Sequence, residues 1–183
     1  MASLPEVFKK VIIFLENNNF DYLVIGGIAS ATLGYPRLTE DVDICIFIKR
    51  KEAKNFLTKI KREGFSFDEK QVSQKIKQTG TFQIHYKELH IDFLIASTRF
   101  EKSALKRKQR IKLYDTYANF PTPEDLILFK IIPARHIDLA DAENIAIRYT
   151  EKLDKKYLLE WAMKLSEAAE DLRVYNEVKK LLD

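Results

Sequence analysis

Residues Val42, Ile44, Ile46 and Ile48 alternate with Asp41, Asp43, Cys45 and Phe47, and this two-residue period constrains the chain more than any other feature. It predicts a strand with one aliphatic face and another face that begins with two carboxylates leaving the same side. Two like charges so placed favour either protonation or a cation, and hard oxygen donors are what Mg²⁺ takes. Taken alone, an Asp-x-Asp pair is ordinarily a solvated strand end. The preceding segment changes that reading. Tyr22–Ile25 has strand composition, breaks at Gly26-Gly27 and gives way to helical composition over Ile28–Leu33, closed by Gly34, Tyr35 and Pro36. A strand, glycine turn and helix in that order present backbone N–H groups and the positive end of a helix dipole, both suited to phosphate oxygens. The glycine pair by itself is equally a simple tight turn.

The 183 residues are 46% hydrophobic and 32% charged with only 5 Gly and 5 Pro, enough apolar material for a packed core and too little loop-forming material for disorder. Lys and Arg exceed Asp and Glu by 31 to 27, a mild excess that suits a polyanionic partner without requiring one. The single cysteine, Cys45, excludes an internal disulfide framework, and three scattered histidines exclude a Cys/His zinc site, which together suit a reducing cytoplasm. No apolar run approaches the roughly 18–20 residues that cross a bilayer, so neither a membrane span nor an export signal is expected.

Ser3 and Glu6 form a capping-box signature for a helix with Val7, Val11, Ile12 and Leu15 on one side, ended by Asn17-Asn18-Asn19. Beyond the acid strand, the pattern predicts a solvated helix over Lys51–Arg62 stopped by Gly64, and a strand over Phe65–Val72. A hairpin of Thr81–Tyr86 and Leu89–Ile95 follows, turned at Lys87-Glu88. Thr122, Pro123 and Glu124-Asp125 read as the cap, first position and dipole-complementing acids of a helix that Pro133 interrupts. Another helix starts near Asp138, and Asp154 caps Lys155–Leu182 as one helix or two. The fold class is α/β (α+β): a mixed β-sheet core with helices on one side over residues 1–120, and a C-terminal helical lobe over 121–183 packed on it.

On the second hairpin strand His90, Asp92 and Leu94 share a face, opposite Leu89, Ile91, Phe93 and Ile95. If this strand neighbours the Asp-x-Asp strand, Asp92 completes a three-carboxylate site able to hold two metal ions for in-line displacement at phosphorus. Lys130 lies in Leu126–Ile132, where every other residue is aliphatic or aromatic, so it either snorkels to water or points into a cleft toward phosphate. Arg135, Asp138 and Asp141 are spaced to orient Lys130 or Arg135, or equally to make a plain surface salt bridge. Arg37 is a phosphate or base contact or an ordinary surface arginine. The basic run Lys102, Lys106, Arg107, Lys108, Arg110, Lys112 reads first as a solvated helix face, and second as a set of phosphate contacts to a nucleic-acid acceptor. His85 and His90 read as hydrogen-bonding residues rather than metal ligands, because Mg²⁺ prefers oxygen. Cys45 and Trp161 read as core.

The block Ile25-Gly26-Gly27, thirteen residues, then Asp41-Val42-Asp43-Ile44, with Asp92 in Ile91-Asp92-Phe93-Leu94, resembles the DNA polymerase β-like nucleotidyltransferase superfamily. Arg37-Leu38-Thr39-Glu40-Asp41 and the later Pro123-Glu124-Asp125-Leu126, Lys130, Arg135, Asp138 and Asp141 look like its minimal AbiEii/MenT type. The likeness spans about residues 21–148. It implies transfer of a nucleotide from an NTP with loss of pyrophosphate. Asp41 and Asp43 would bind two Mg²⁺ ions (Mn²⁺ as a substitute) and the triphosphate, and Asp92 the ion that activates the acceptor hydroxyl. Lys130 joins the catalytic set, and Gly26, Gly27, Arg37, Thr39, Arg135 and Asp138 meet substrate. Many members carry Ser where this chain has Gly27, so here backbone N–H groups serve alone. The implied acceptor is a tRNA 3′ end or a protein hydroxyl, as for toxin-like relatives with an antitoxin partner, or a small molecule such as an antibiotic. A non-catalytic nucleotide- or RNA-binding module is the reading from another class, and retention of all three acids argues against it.

Overall fold

The computed structural model describes residues 2–182. The chain gathers into two compact units, one holding the residues up to Ile28 and Thr39–Phe120, the other holding Ala29–Leu38 and the residues from Pro121 onward.

The first unit contains α1 (Leu4–Asn17), β1 (Tyr22–Ile25), the start of α2 (Gly26–Leu33), β2 (Val42–Ile46), a 3₁₀ turn at Arg50–Glu52 and α3 (Ala53–Arg62). It continues with α4 (Glu69–Gln78), β3 (Thr81–Tyr86), β4 (Leu89–Ile95), α5 (Arg99–Lys106), β5 (Gln109–Leu113) and β6 (Thr116–Phe120). Four strands form one mixed sheet in the order β1-β2-β4-β3. Its β1/β2 and β3/β4 pairs are antiparallel, and its central β2/β4 pair is parallel. β5 and β6 pair as a separate hairpin, and β6 is tied to β1 where the Asn119 N–H donates to the Tyr22 hydroxyl at 3.3 Å.

The alternation along β4 sets the two faces of the sheet. Ile91, Phe93 and Ile95 are buried while His90, Asp92 and Leu94 are half-buried. On the apolar face Phe82 stacks on its register partner Phe93 with centroids 5.0 Å apart. Phe56 of α3 meets both rings edge-on and also meets Phe14 of α1. Such edge-to-face pairs add about 0.5–1.5 kcal/mol each beyond the area they bury. With α1 and α3 on the aromatic face, the polar side chains of β2 and β4 emerge on the other.

Two sequence expectations in this unit give way. The expected strand Phe65–Val72 is largely helical: the Asp68 carboxylate accepts from Gln71 N–H and starts α4, whose buried residues Val72 and Ile76 follow a four-residue period. Only Ser66 keeps a bridge, to His85. The basic run is not a single helix face, because α5 stops at Lys106 and Gln109–Leu113 is a strand. Several of its charges are also matched, Lys108 by Asp21, Arg110 by Glu16 and Lys112 by Asp115. The Lys87-Glu88 turn forms although Lys87 takes φ 54°, with its ammonium 2.8 Å from Glu6 and the Glu88 carboxylate accepting from Ala2 N–H.

The second unit contains the rest of α2, then α6 (Pro123–Ile131), α7 (His136–Tyr149), α8 (Lys155–Ala169) and α9 (Arg173–Leu182). Thr122 caps α6 by accepting from Asp125 N–H, and Asp154 caps α8 by accepting from Tyr157 N–H. The stretch after Asp154 is two helices because Glu170 turns left-handed at φ 53°. α6 is buried nearly all round, including Glu124, Asp125 and Lys130. Asp125 is reached by the Tyr157 hydroxyl and Glu124 by Asp154 N–H. Cys45 is fully buried, and burial pushes its thiol pKa up. Trp161 is only partly buried, with Lys164 over its ring at 4.9 Å. Among the described residues no helix is long and apolar enough to cross a membrane.

Candidate active site

β2 and β4 are neighbours, and their register places Asp43 opposite Asp92. Asp41 precedes the first residue of β2. Among the described residues, the side chains that could share one ion are Asp41, His90 and Asp92, whose donor atoms all lie within 4.8 Å of one another. His90 Nε2 is 4.0 Å from Asp41 Oδ2, and both side chains are about two-fifths exposed, at 39% and 41%. Each carboxylate has a neighbour that orients it. The Thr39 hydroxyl donates to Asp41 Oδ1 at 3.1 Å, and the Gln83 amide donates to Asp92 Oδ1 at 2.9 Å.

Asp43 is turned to the glycine pair. Its Oδ2 accepts from Gly27 N–H at 3.3 Å. Gly26 has φ +65°, and a Cβ there would lie 1.8 Å from the same oxygen. The turn thus needs glycine twice over, for its left-handed backbone and for the close approach of the carboxylate.

In the second unit the side chains named from sequence form a chain of alternating charge. Lys130 Nζ lies 3.1 Å from Asp138 and 3.0 Å from Asp141, and all three side chains are at most 5% exposed. Arg37 grips Asp141 with two parallel bonds of 2.9 and 3.0 Å, and Arg135 bonds both oxygens of Asp138. Burial pushes the Asp138 and Asp141 carboxyls up in pKa, but the hydrogen bonds from Arg135 and Lys130 to the first, and from Arg37, Lys130 and Ser30 to the second, outweigh it. Both are held below the ordinary aspartate value of 3.8. Lys130 therefore does not snorkel, and its ammonium belongs to this set.

The structure thus brings together Asp41 and Asp92, adds His90 and Gln83 to them, and sets Asp43 against Gly26 and Gly27. Separately, it joins Arg37, Lys130, Arg135, Asp138 and Asp141. Gln83 carried no sequence signal apart from its position on the strand paired with β4, where it faces Asp92 in register.

The donor set of two carboxylates and an imidazole within 4.8 Å fits a single divalent ion.

No protein-family model matches the chain, and no curated protein matches it. Solved structures do match it in fold. The antibiotic-resistance factor ANT(2'')-Ia aligns at TM-score 0.58 with 12% identity, over 90% of this chain and 93% of that one. The lincosamide antibiotic adenylyltransferase LnuA, with lincomycin bound, aligns at 0.53 with 13% identity over 79% and 96%. An antigenic nucleotidyltransferase-like protein from Paracoccidioides brasiliensis aligns at 0.50 with 15% identity over 96% and 92%. The chain has the nucleotidyltransferase fold.

Proposed function

We propose that this protein is a metal-dependent nucleotidyltransferase that moves a nucleoside monophosphate from an NTP to a hydroxyl acceptor. The observation that carries this reading is the placement of Asp41 and Asp92 within one ion's reach, beside Asp43 on the Gly26-Gly27 turn, in a nucleotidyltransferase fold. Asp41, Asp43 and Asp92 are the proposed ligands for Mg²⁺, as two ions, with Mn²⁺ as a substitute. When bound, the ions lower the pKa of the acceptor hydroxyl and neutralise charge on the attacking and leaving oxygens.

The chain's own residues do the rest. Thr39 and Gln83 hold the Asp41 and Asp92 carboxylates in fixed orientation. The Gly26-Gly27 turn lets the triphosphate approach bare backbone. The Gly27 N–H bond to Asp43, at 3.3 Å, is long for an amide donor and exchangeable for a phosphate oxygen. Lys130, Arg135 and Asp138 have a proposed indirect role: they hold Asp141, which fixes Arg37, and Arg37 stands two residues before Thr39 in the chain.

The acceptor is proposed at the level of a hydroxyl on RNA or protein, the toxin-like reading with an antitoxin partner, on the sequence resemblance and on the mild excess of basic over acidic residues, 31 to 27. A small-molecule acceptor is the second reading, favoured because one aligned structure is a lincosamide antibiotic adenylyltransferase and another an antibiotic-resistance factor. Incubation with each α-labelled NTP, Mg²⁺ or Mn²⁺, and in turn total tRNA, cell protein and an antibiotic panel that includes lincosamides distinguishes them. Label in RNA or protein supports the first, label confined to a small molecule supports the second, and no labelled product in any arm refutes the function.

A further inference from the structure

His90 lies on the face of β4 that carries Asp92, two residues away and in reach of Asp41. Its Nε2 is 4.0 Å from Asp41 Oδ2, too far for a hydrogen bond, and its other contact is an edge-on approach of His85 at 6.1 Å. Metal bonds of about 2.0–2.2 Å place two donors of one ion about 3 Å apart at right angles and about 4.3 Å apart when opposite. The His90–Asp41 separation falls inside that range. Separations up to 4.8 Å across the three close onto it with small side-chain rotations of half-exposed groups. The hydrogen bonds from Thr39 to Asp41 and from Gln83 to Asp92 are the outer contacts that orient metal-ligating carboxylates.

We propose that His90 is a metal ligand, completing with Asp41 and Asp92 a two-carboxylate, one-imidazole site that takes a first-row divalent transition ion such as Mn²⁺ in preference to Mg²⁺. Imidazole nitrogen strengthens binding of first-row ions along the series from Mn²⁺ to Cu²⁺, whereas Mg²⁺ gains little from it because it is held through oxygen and retains its waters. The neighbouring histidine, His85, is the register partner of His90 on β3 but supplies no donor atom to the cluster. It is the natural control.

This inference rests on the proposed metal-dependent function only for its biological meaning; the ligation is testable without turnover. The experiment is Mn²⁺ bound to the full chain without nucleotide, read by electron spin echo envelope modulation for ¹⁴N coupling and by competition with Mg²⁺. The native protein shows the nitrogen coupling. His90→Gln loses it, and its preference for Mn²⁺ over Mg²⁺ falls about tenfold, while His85→Gln keeps both. Circular dichroism melting confirms that the variants fold. Nitrogen coupling that persists in His90→Gln, or is absent from native protein that binds Mn²⁺ in an Asp92-dependent way, overturns the role of His90 and leaves the carboxylate site standing. Native protein that binds neither ion at millimolar concentration overturns both.

Discussion

In the second unit, Lys130 is buried between Asp138 and Asp141, and each of those acids is gripped on its far side by an arginine, Arg135 and Arg37. In the first unit, Asp41 and Asp92 stand half-exposed within 4.8 Å of each other and of His90, oriented by the neutral donors Thr39 and Gln83. The first arrangement alternates in sign and balances itself, so it contributes to stability and asks for nothing from outside. The second gathers like charge on β4 and just ahead of β2, which costs stability unless a cation joins it. Charge left for a cation to balance is what the proposed metal site requires, and charge neutralised internally is what a framework requires.

Breaking the first unit's set acts on function. Asp41→Asn or Asp92→Asn should lower nucleotide transfer by at least about 10³-fold with a melting temperature unchanged or higher, to be checked by steady-state rates and calorimetry on the same samples. Breaking the second unit's set acts on stability. Lys130→Met leaves two buried carboxylates facing each other and costs about 3–5 kcal/mol, seen as a lower denaturant midpoint at constant slope. Gly26→Ala blurs the distinction, since it combines a left-handed backbone and a Cβ driven into Asp43. It costs about 1–3 kcal/mol and lowers activity by displacing that carboxylate, measurable as parallel losses in midpoint and rate.

The smallest effect is in pH. Asp138 and Asp141 have folded pKa values below the ordinary 3.8. Their stabilisation is therefore complete above that value and lost as pH falls below it toward the folded values. Acid unfolding of Asp138→Asn should show a shallower pH dependence over that window than the native protein, and an unchanged slope would remove Asp138 from the network.

Much of this was legible in the residues. The two-residue periods of Val42–Ile48 and Leu89–Ile95 locate the central strands, and Thr122-Pro123 and Asp154 locate two helix starts. Phe65–Val72 misled because Phe65, Phe67 and Val72 suggest a sheet, while the deciding signal is the single cap Asp68 with Val72 and Ile76 four apart. The basic run misled in a related way: charge density says nothing of whether acids distant in sequence, here Asp21 and Glu16, meet it. At the site, Asp41, Asp43 and Asp92 were visible as types and spacing. That His90 rather than Asp43 joins the close cluster depends on the register of β2 against β4 and on the Gly27 N–H drawing Asp43 aside. Neither is written in a local pattern. Lys130 was recognisable as a lysine without a polar stripe, but its partners only emerge when α6 and α7 pack.

The most direct measurement of the central claim follows the fate of two labels on one nucleotide. With α-labelled NTP, divalent metal and acceptor, the account predicts label in the acceptor. With γ-labelled NTP it predicts label only in pyrophosphate, released in equal amount, and Asp92→Asn abolishes both. Transfer of the γ-label to the acceptor, or α-label transfer that survives in Asp92→Asn, would contradict it.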